Sequence, residues 1–218
     1  MQSFLLSCGR GVFQSFYHIF ANKFLPYRWI KRVENATNNN GTKTIQESCF
    51  GHRPFWYSLR PKSANNVTAI NPYERFFFCF SAEAFIIDQR LIALNVEDGY
   101  DVELISALLN SVVTFLTMEM KGTSRSLGAL DLNANYFKKL KILNPDLLTN
   151  EQRAQIKEAF IPIKQREIKT IFKEVRMADR INFDRIVLQS YGIEEEVLNS
   201  LYSILIASVN HRVNMADR

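Results

Sequence analysis

Cysteine is scarce and poorly placed for its usual structural roles. Only Cys8, Cys49 and Cys79 occur. They are odd in number and far apart, with no Cys-x-x-Cys or Cys/His spacing that suits zinc. Reduced thiols in a cytosolic protein, and hence a cytoplasmic location, are the expectation. Histidine is as thin: His18, His52 and His211 stand alone, with no recognisable serine or cysteine partner, so no catalytic triad is read. The eight glycines form no glycine-rich turn after a strand that would cradle a nucleoside cofactor. Long hydrophobic runs are also missing. The most apolar helical stretch is interrupted by Asn110, Ser111, Thr114, Thr117 and Glu119, which argues against a membrane span. Residues 1–8 lack a basic leader and a small-residue cleavage site, which argues against a signal peptide. A soluble protein with no membrane partner is expected.

Apolar and aromatic residues, by contrast, are abundant. With 218 residues, 47% hydrophobic, 17 Phe and 8 Tyr, the chain can bury a sizeable core and is not of the disordered class. Its net charge of +5 is unevenly placed. Residues 1–62 carry nine Lys/Arg against Glu34 and Glu47, a local +7, which leaves −2 for the rest. An excess confined to the first quarter of the chain points to polyanionic partners, with a solubilising surface as the plainer account.

Three regions separate by pattern: a basic, aromatic segment over 1–50, a strand-and-helix region over 51–148, and a helical tail over 149–218. In the first, Phe13, Phe16, Tyr17, Phe20 and Phe24 recur at helical spacing, predicting a helix that ends before Pro26. In the second, "PFWYSL", "NVTAI", "RFFFCFS" and "AFIID" read as short strands. Asp101 then opens one helical pattern through Val102, Ile105, Leu108, Leu109, Val112, Val113, Phe115 and Leu116. A short helix near Asn135–Lys139 and a strand-like "LKILNP" follow. In the third, Thr149 and Gln152 fit a capping box, and Pro162 is expected to kink or break the helix they start. Further helices run over roughly Asn182–Ser190 and from Glu194, with Arg212 near the end of the last, where the helix dipole favours cations. The fold class is α+β: a small, twisted, mainly antiparallel sheet with packed helices, followed by a helical C-terminal tail.

Few motifs carry chemistry. Pro145-Asp146 with Glu167-x-Lys169 matches the loose pattern of metal-dependent nucleases, but Glu167 and Lys169 sit within a helical pattern and face different ways. A solvated helix is the better reading, and neither a catalytic residue nor a metal ligand is assigned. "GHRPFWYSLRPK" interleaves Arg53, Arg60 and Lys62 with Phe55, Trp56 and Tyr57. The cations suit phosphates, and Trp56, on the opposite strand face from Phe55 and Tyr57, suits stacking on bases. The loop leaving the long helix, Lys121 to Gly128, puts Lys121, Ser124, Arg125 and Ser126 among small residues that permit close backbone approach.

Two resemblances follow from these segments. "NPYE", Asn71 to Glu74, resembles the (Asn/Asp)-Pro-Pro-aromatic motif of amino-methyltransferases that act on flipped bases, yet one proline is missing, and a turn before "RFFFCFS" is preferred. More broadly, the order "PFWYSL", "RFFFCFSAEAFIIDQRLIALN", "ALLNSVVTFLTMEMKGTSRSLGALDLNANYFKKLKILNP" is similar to the TaqI-like C-terminal specificity (target recognition) domain of N6-adenine DNA methyltransferases in restriction–modification systems. The tail "EVRMADRINFDRIVLQSYGIEEEVLNSLYSILIASVNHR" resembles the helical end of those proteins through Arg180, Asp184, Tyr191-Gly192 and Arg212. The likeness spans about residues 51–215, and type I specificity subunits share a similar pattern. It implies that 51–148 is a target-recognition domain, binding double-stranded DNA through Arg53, Trp56, Arg60, Lys62, Lys121, Ser124, Arg125 and Ser126. It also implies a methyltransferase catalytic domain or subunit, elsewhere in a longer protein or on a separate polypeptide, that holds S-adenosylmethionine. No cofactor is expected in this chain. The alternative from another class is a protein–protein adaptor whose aromatic surfaces and helical tail bind a partner subunit without DNA.

Overall fold

The computed structural model describes residues 25–37, 39–41, 62–87, 90–125, 128–132 and 134–214. The chain divides into two compact units, Met1–Pro61 and Lys62–Arg218. In the first, helix α1 (Leu25–Glu34) carries Lys31 and Arg32 in its last turn, where cations suit the dipole. Pro26 lies in its first turn, where a missing N–H costs nothing because it has no helical acceptor. The Phe13–Phe24 stretch lies outside the described residues.

The second unit is α+β. Its sheet has β1 (Lys62–Ala69) between β2 (Cys79–Ile87) and β3 (Leu91–Leu94), all antiparallel neighbours. "NVTAI" falls largely within β1. "AFIID" and the end of "RFFFCFS" merge into the single strand β2, while Arg75–Phe78 stays outside the ladder. The reason is side-chain competition: the Asn110 amide accepts the Phe78 N–H at 3.0 Å and donates to the Phe78 carbonyl at 2.9 Å, taking the place of a neighbouring strand. Phe76 and Phe78 are thereby buried.

Helices α2 (Val102–Leu109) and α3 (Val112–Lys121) replace the one helix expected from Asp101, and meet at a 59° bend across Asn110-Ser111. Asp101 caps the first by accepting the Glu103 and Leu104 N–H groups. A two-stranded hairpin follows, β4 (Thr123–Ser124) and β5 (Leu130–Asp131), then the short α4 (Ala134–Phe137). "LKILNP" joins no ladder and leads into a 3-10 turn at Pro145–Leu147. Helix α5 (Asn150–Gln165) has the expected Thr149/Gln152 capping box and continues through Pro162. It is followed by α6 (Ile171–Glu174), α7 (Ala178–Ser190) and α8 (Glu196–Asn214).

Two apolar clusters hold this unit together, and α2 serves both. Leu104, Ala107 and Leu108 face Ile156, Phe160, Ile163, Phe183 and Val187 of α5 and α7. Ile105 and Leu109 join Phe76, Phe115, Met118, Leu130, Leu132, Leu205 and Val209. A helix apolar on nearly every side is stable only when enclosed. Accordingly α2 packs on β1, β2, α3 and α5, while α8 packs on α3 and α7. The helices after Thr149 thus share the cores of the strand-bearing part. Among the described residues, no single helix is long and apolar enough to cross a membrane.

Candidate functional site

The elbow between α2 and α3 determines where the following loop points. Ser111 caps α3 through the Thr114 N–H and donates to the Leu108 carbonyl at 2.7 Å. From α7, Asp184 accepts the Val112 N–H at 2.8 Å and Arg180 donates to the Asn110 carbonyl at 2.6 Å. Asp184 also accepts from the Tyr202 hydroxyl of α8 at 2.8 Å. The Arg180 guanidinium meets Glu174 at 3.3 Å and lies over the Phe115 and Phe183 rings. Arg180 and Asp184 are 1% and 0% exposed, so these ionisable groups are a buried scaffold and not a solvent-facing site. Burial raises the Asp184 carboxyl above its ordinary range despite Arg180 nearby. Burial also raises Glu174, but Arg166, the Lys169 N–H and Arg180 together overcome it and hold that carboxyl low.

From this elbow, α3 delivers Lys121 to the root of the β4–β5 hairpin. The strands pair Thr123 with Asp131 and Ser124 with Leu130, and the Arg125 N–H bonds the Ala129 carbonyl at 2.8 Å. Both glycines are required by geometry. A Cβ on Gly122 would sit 2.6 Å from Leu130 Cδ1 and 2.9 Å from the Met118 carbonyl oxygen. Gly128 has φ +68°, and a Cβ there would meet the Tyr73 ring and the Val213 backbone at 3.0 Å. Leu130 and Leu132 plug the hairpin into the core, and their N–H groups bond the Pro72 and Ile70 carbonyls at 3.0 and 3.1 Å. The "NPYE" stretch therefore braces the hairpin: Asn71 also donates to Asp131 at 3.3 Å.

Behind the hairpin lies a buried ion pair. Arg212 of α8 donates Nε and Nη2 to the two Glu119 carboxylate oxygens, at 2.8 and 2.9 Å. Its remaining donors reach the Gly128 carbonyl and, at 2.7 Å, the Tyr73 carbonyl. Expected to be a dipole-favoured cation at a helix end, Arg212 is a clamp that joins α3, α8, the hairpin tip and the 71–74 turn. Its role follows from Glu119, which lies 93 positions away in sequence.

The residues singled out in the sequence divide as follows. Lys121, Ser124 and Arg125 come together on exposed positions of the α3–hairpin edge. Arg125 binds Asp131 through Nε at 2.9 Å and Nη2 at 2.5 Å, with its side chain 65% exposed. Lys121 makes no ion pair among the described residues. Lys62 begins β1, paired with Ile87. Arg53, Trp56, Arg60 and Ser126 lie outside the described residues. Three further lysines, Lys138, Lys139 and Lys141, are exposed just after α4 and also make no ion pair among the described residues. Their signal is the run "KKLK", which the sequence pattern divides between a short helix near Asn135–Lys139 and the strand-like "LKILNP".

Among the described residues, no group of three or more His, Cys, Asp or Glu could hold a metal ion. Asp146 accepts from the Tyr100 hydroxyl at 3.2 Å, and Glu167 pairs with Lys169. Those two lie in the loop after α5, not within a helix as the sequence pattern had implied, because α5 ends at Gln165. No hydrogen bond or ion pair joins them to Asp146 among the described residues. What the hairpin edge offers is a rigidly backed, solvent-facing set of cations and hydroxyls, suited to binding phosphate and polar edges. No protein-family model, curated protein or solved structure matches the chain.

Proposed function

We propose that the chain is a DNA target-recognition module of an adenine-specific DNA methyltransferase or restriction–modification system. The observation that carries this reading is the hairpin edge: Lys121, Ser124 and Arg125 are exposed beside described backbone that is held by Glu119, Arg212 and two required glycines. Loops mounted so firmly lose little entropy on binding. The lysines at 138, 139 and 141 add phosphate-seeking charge, and the unit Met1–Pro61 carries eight Lys/Arg against two acids. In this reading the cations anchor phosphates, and Ser124 with its neighbours meets base edges in a groove. A partner catalytic domain or subunit holds S-adenosylmethionine and flips the adenine.

Fluorescence anisotropy with a labelled duplex tests this over a salt series. The double variant Lys121→Ala/Arg125→Ala is expected to reduce the salt slope by about 0.9 for each phosphate that is no longer neutralised. An unchanged slope and affinity would remove the hairpin from the interface, and no duplex binding by the parent chain would end the proposal. The adaptor reading is favoured by one feature, the exposed Val197 and Ile204 seven residues apart on one face of α8. Stable co-purification with a protein subunit, without any duplex affinity, would favour it.

A further inference from the structure

Tyr73 and Tyr100 are the exposed large aromatics of this unit among the described residues, and the Tyr100 hydroxyl is already bound to Asp146. Near Tyr73 in sequence, Phe76 and Phe78 are buried, whereas Tyr73 is 43% exposed. The turn that carries it is nonetheless pinned on every side. The Pro72 carbonyl accepts from Leu130, the Tyr73 carbonyl from Arg212, and the Glu74 carbonyl from the Ile171 N–H at 2.7 Å. Asn71 is tied to Asp131. The ring rests against Gly128 so closely that even a methyl group at 128 would meet Tyr73 Cε2 at 3.0 Å and its hydroxyl oxygen at 3.3 Å. The hydroxyl itself makes no hydrogen bond among the described residues. A fixed backbone, a half-open ring and a hydroxyl with no partner there describe a side chain held ready for an external acceptor. The Asp131 that ties down Asn71 also binds Arg125, so Tyr73 shares the hairpin edge with that cation.

We infer that Tyr73 is a phosphate-contacting residue of this interface, its hydroxyl donating to a phosphate oxygen of the duplex beside Arg125. The inference rests on the DNA-binding reading and adds to it a neutral contact outside the cationic set. A hydroxyl bound to an anionic oxygen is a charge-assisted hydrogen bond and belongs to the stronger class. Because the contact is to the backbone, its loss weakens target and non-target duplexes alike. Because the group is uncharged, it leaves the salt slope alone.

The experiment compares the full chain with Tyr73→Phe, Tyr73→Ala and Lys121→Ala/Arg125→Ala, using duplexes of two unrelated sequences over a salt series. Tyr73→Phe keeps the ring against Gly128 and deletes only an oxygen with no partner among the described residues, so its thermal midpoint should match the parent. Its affinity is expected to drop about tenfold for both duplexes, with the slope unchanged. If Tyr73→Phe and Tyr73→Ala bind as the parent does while the Lys121/Arg125 variant weakens, the inference falls and the functional reading stands. If Tyr73→Ala weakens binding but Tyr73→Phe does not, the hydroxyl contact is overturned in favour of ring packing. If the parent binds neither duplex, both readings fall together.

Discussion

Arg212 keeps its guanidinium inside the molecule, and each donor that the structure pairs has an acceptor that would otherwise be buried without one. Arg212→Ala is therefore expected to cost about 3–5 kcal/mol, since it strands the Glu119 carboxylate along with two carbonyls. The double variant Glu119→Leu/Arg212→Met removes the stranded charge but still deprives Gly128 and Tyr73 of their donor. It should recover about 2 kcal/mol of the loss and remain about 1–3 kcal/mol below the parent. Denaturant midpoints of the parent and both variants check this; a double variant no better than the single one would show that the ion pair is not the source. Local sequence marked this residue as a dipole-favoured cation near a helix end, and gave no sign of its clamp partners. Thr149/Gln152 could be read because both partners of that cap lie three positions apart. The Arg212 clamp could not, because the partners of Arg212 lie 84, 93 and 139 positions away.

The same division of near from far appears in whole elements. The apolar spacing from Val102 to Leu116 continues smoothly across Asn110-Ser111, so periodicity alone joined α2 to α3. The break comes from Ser111 as a cap together with Asp184 and Arg180, contributed by a helix some seventy residues later. The hairpin, likewise, was legible as a polar basic loop with two glycines, but the neutralisation of Arg125 by Asp131 was not. Asp131→Asn frees that guanidinium and deletes a repulsive charge, and is expected to tighten duplex binding and steepen its salt slope by about one; unchanged anisotropy titrations would count against it. The network joining the end of α5 to α6 and α7 has its own acid signature. Glu174, held low in the folded state, contributes stability that is complete above its unfolded value of 4.5 and is lost as pH falls through the depressed folded value. Asp184, raised on folding, acts in the opposite sense: its contribution is complete below its unfolded value of 3.8 and fades as pH rises through the raised folded value. Glu174→Gln should lower stability at pH 7 and flatten the loss below pH 4.5, as read by urea unfolding at pH 7 and at about pH 3. An equally steep acid loss in that variant would assign it to other carboxylates.

For the molecule as a whole, the α+β class was legible because strand-like and helix-like patterning occupy different stretches of Lys62–Arg218. Charge is distributed just as unevenly: the basic excess belongs to Met1–Pro61, while the second unit is close to neutral. If both units meet the same polyanion, Arg53→Ala/Arg60→Ala should lower the salt slope by roughly 2 while leaving the melting of the second unit intact. A slope equal to that of the parent would confine binding to the hairpin edge and the lysines after α4.

The Arg212 clamp also sets a schedule. A chain made from its N-terminal end completes Gly128 well before Arg212, 84 residues later, an interval on the order of ten seconds at ordinary synthesis rates. During that interval the hairpin is held by its two ladder pairs, the 70–72 segment, the Arg125–Asp131 pair and the packing of Leu130 and Leu132, and the Glu119 carboxylate lacks the Arg212 guanidinium. The edge proposed to meet DNA thus takes its final shape among the last events of folding. Any competence it has for binding is deferred until α8 has been made and docked.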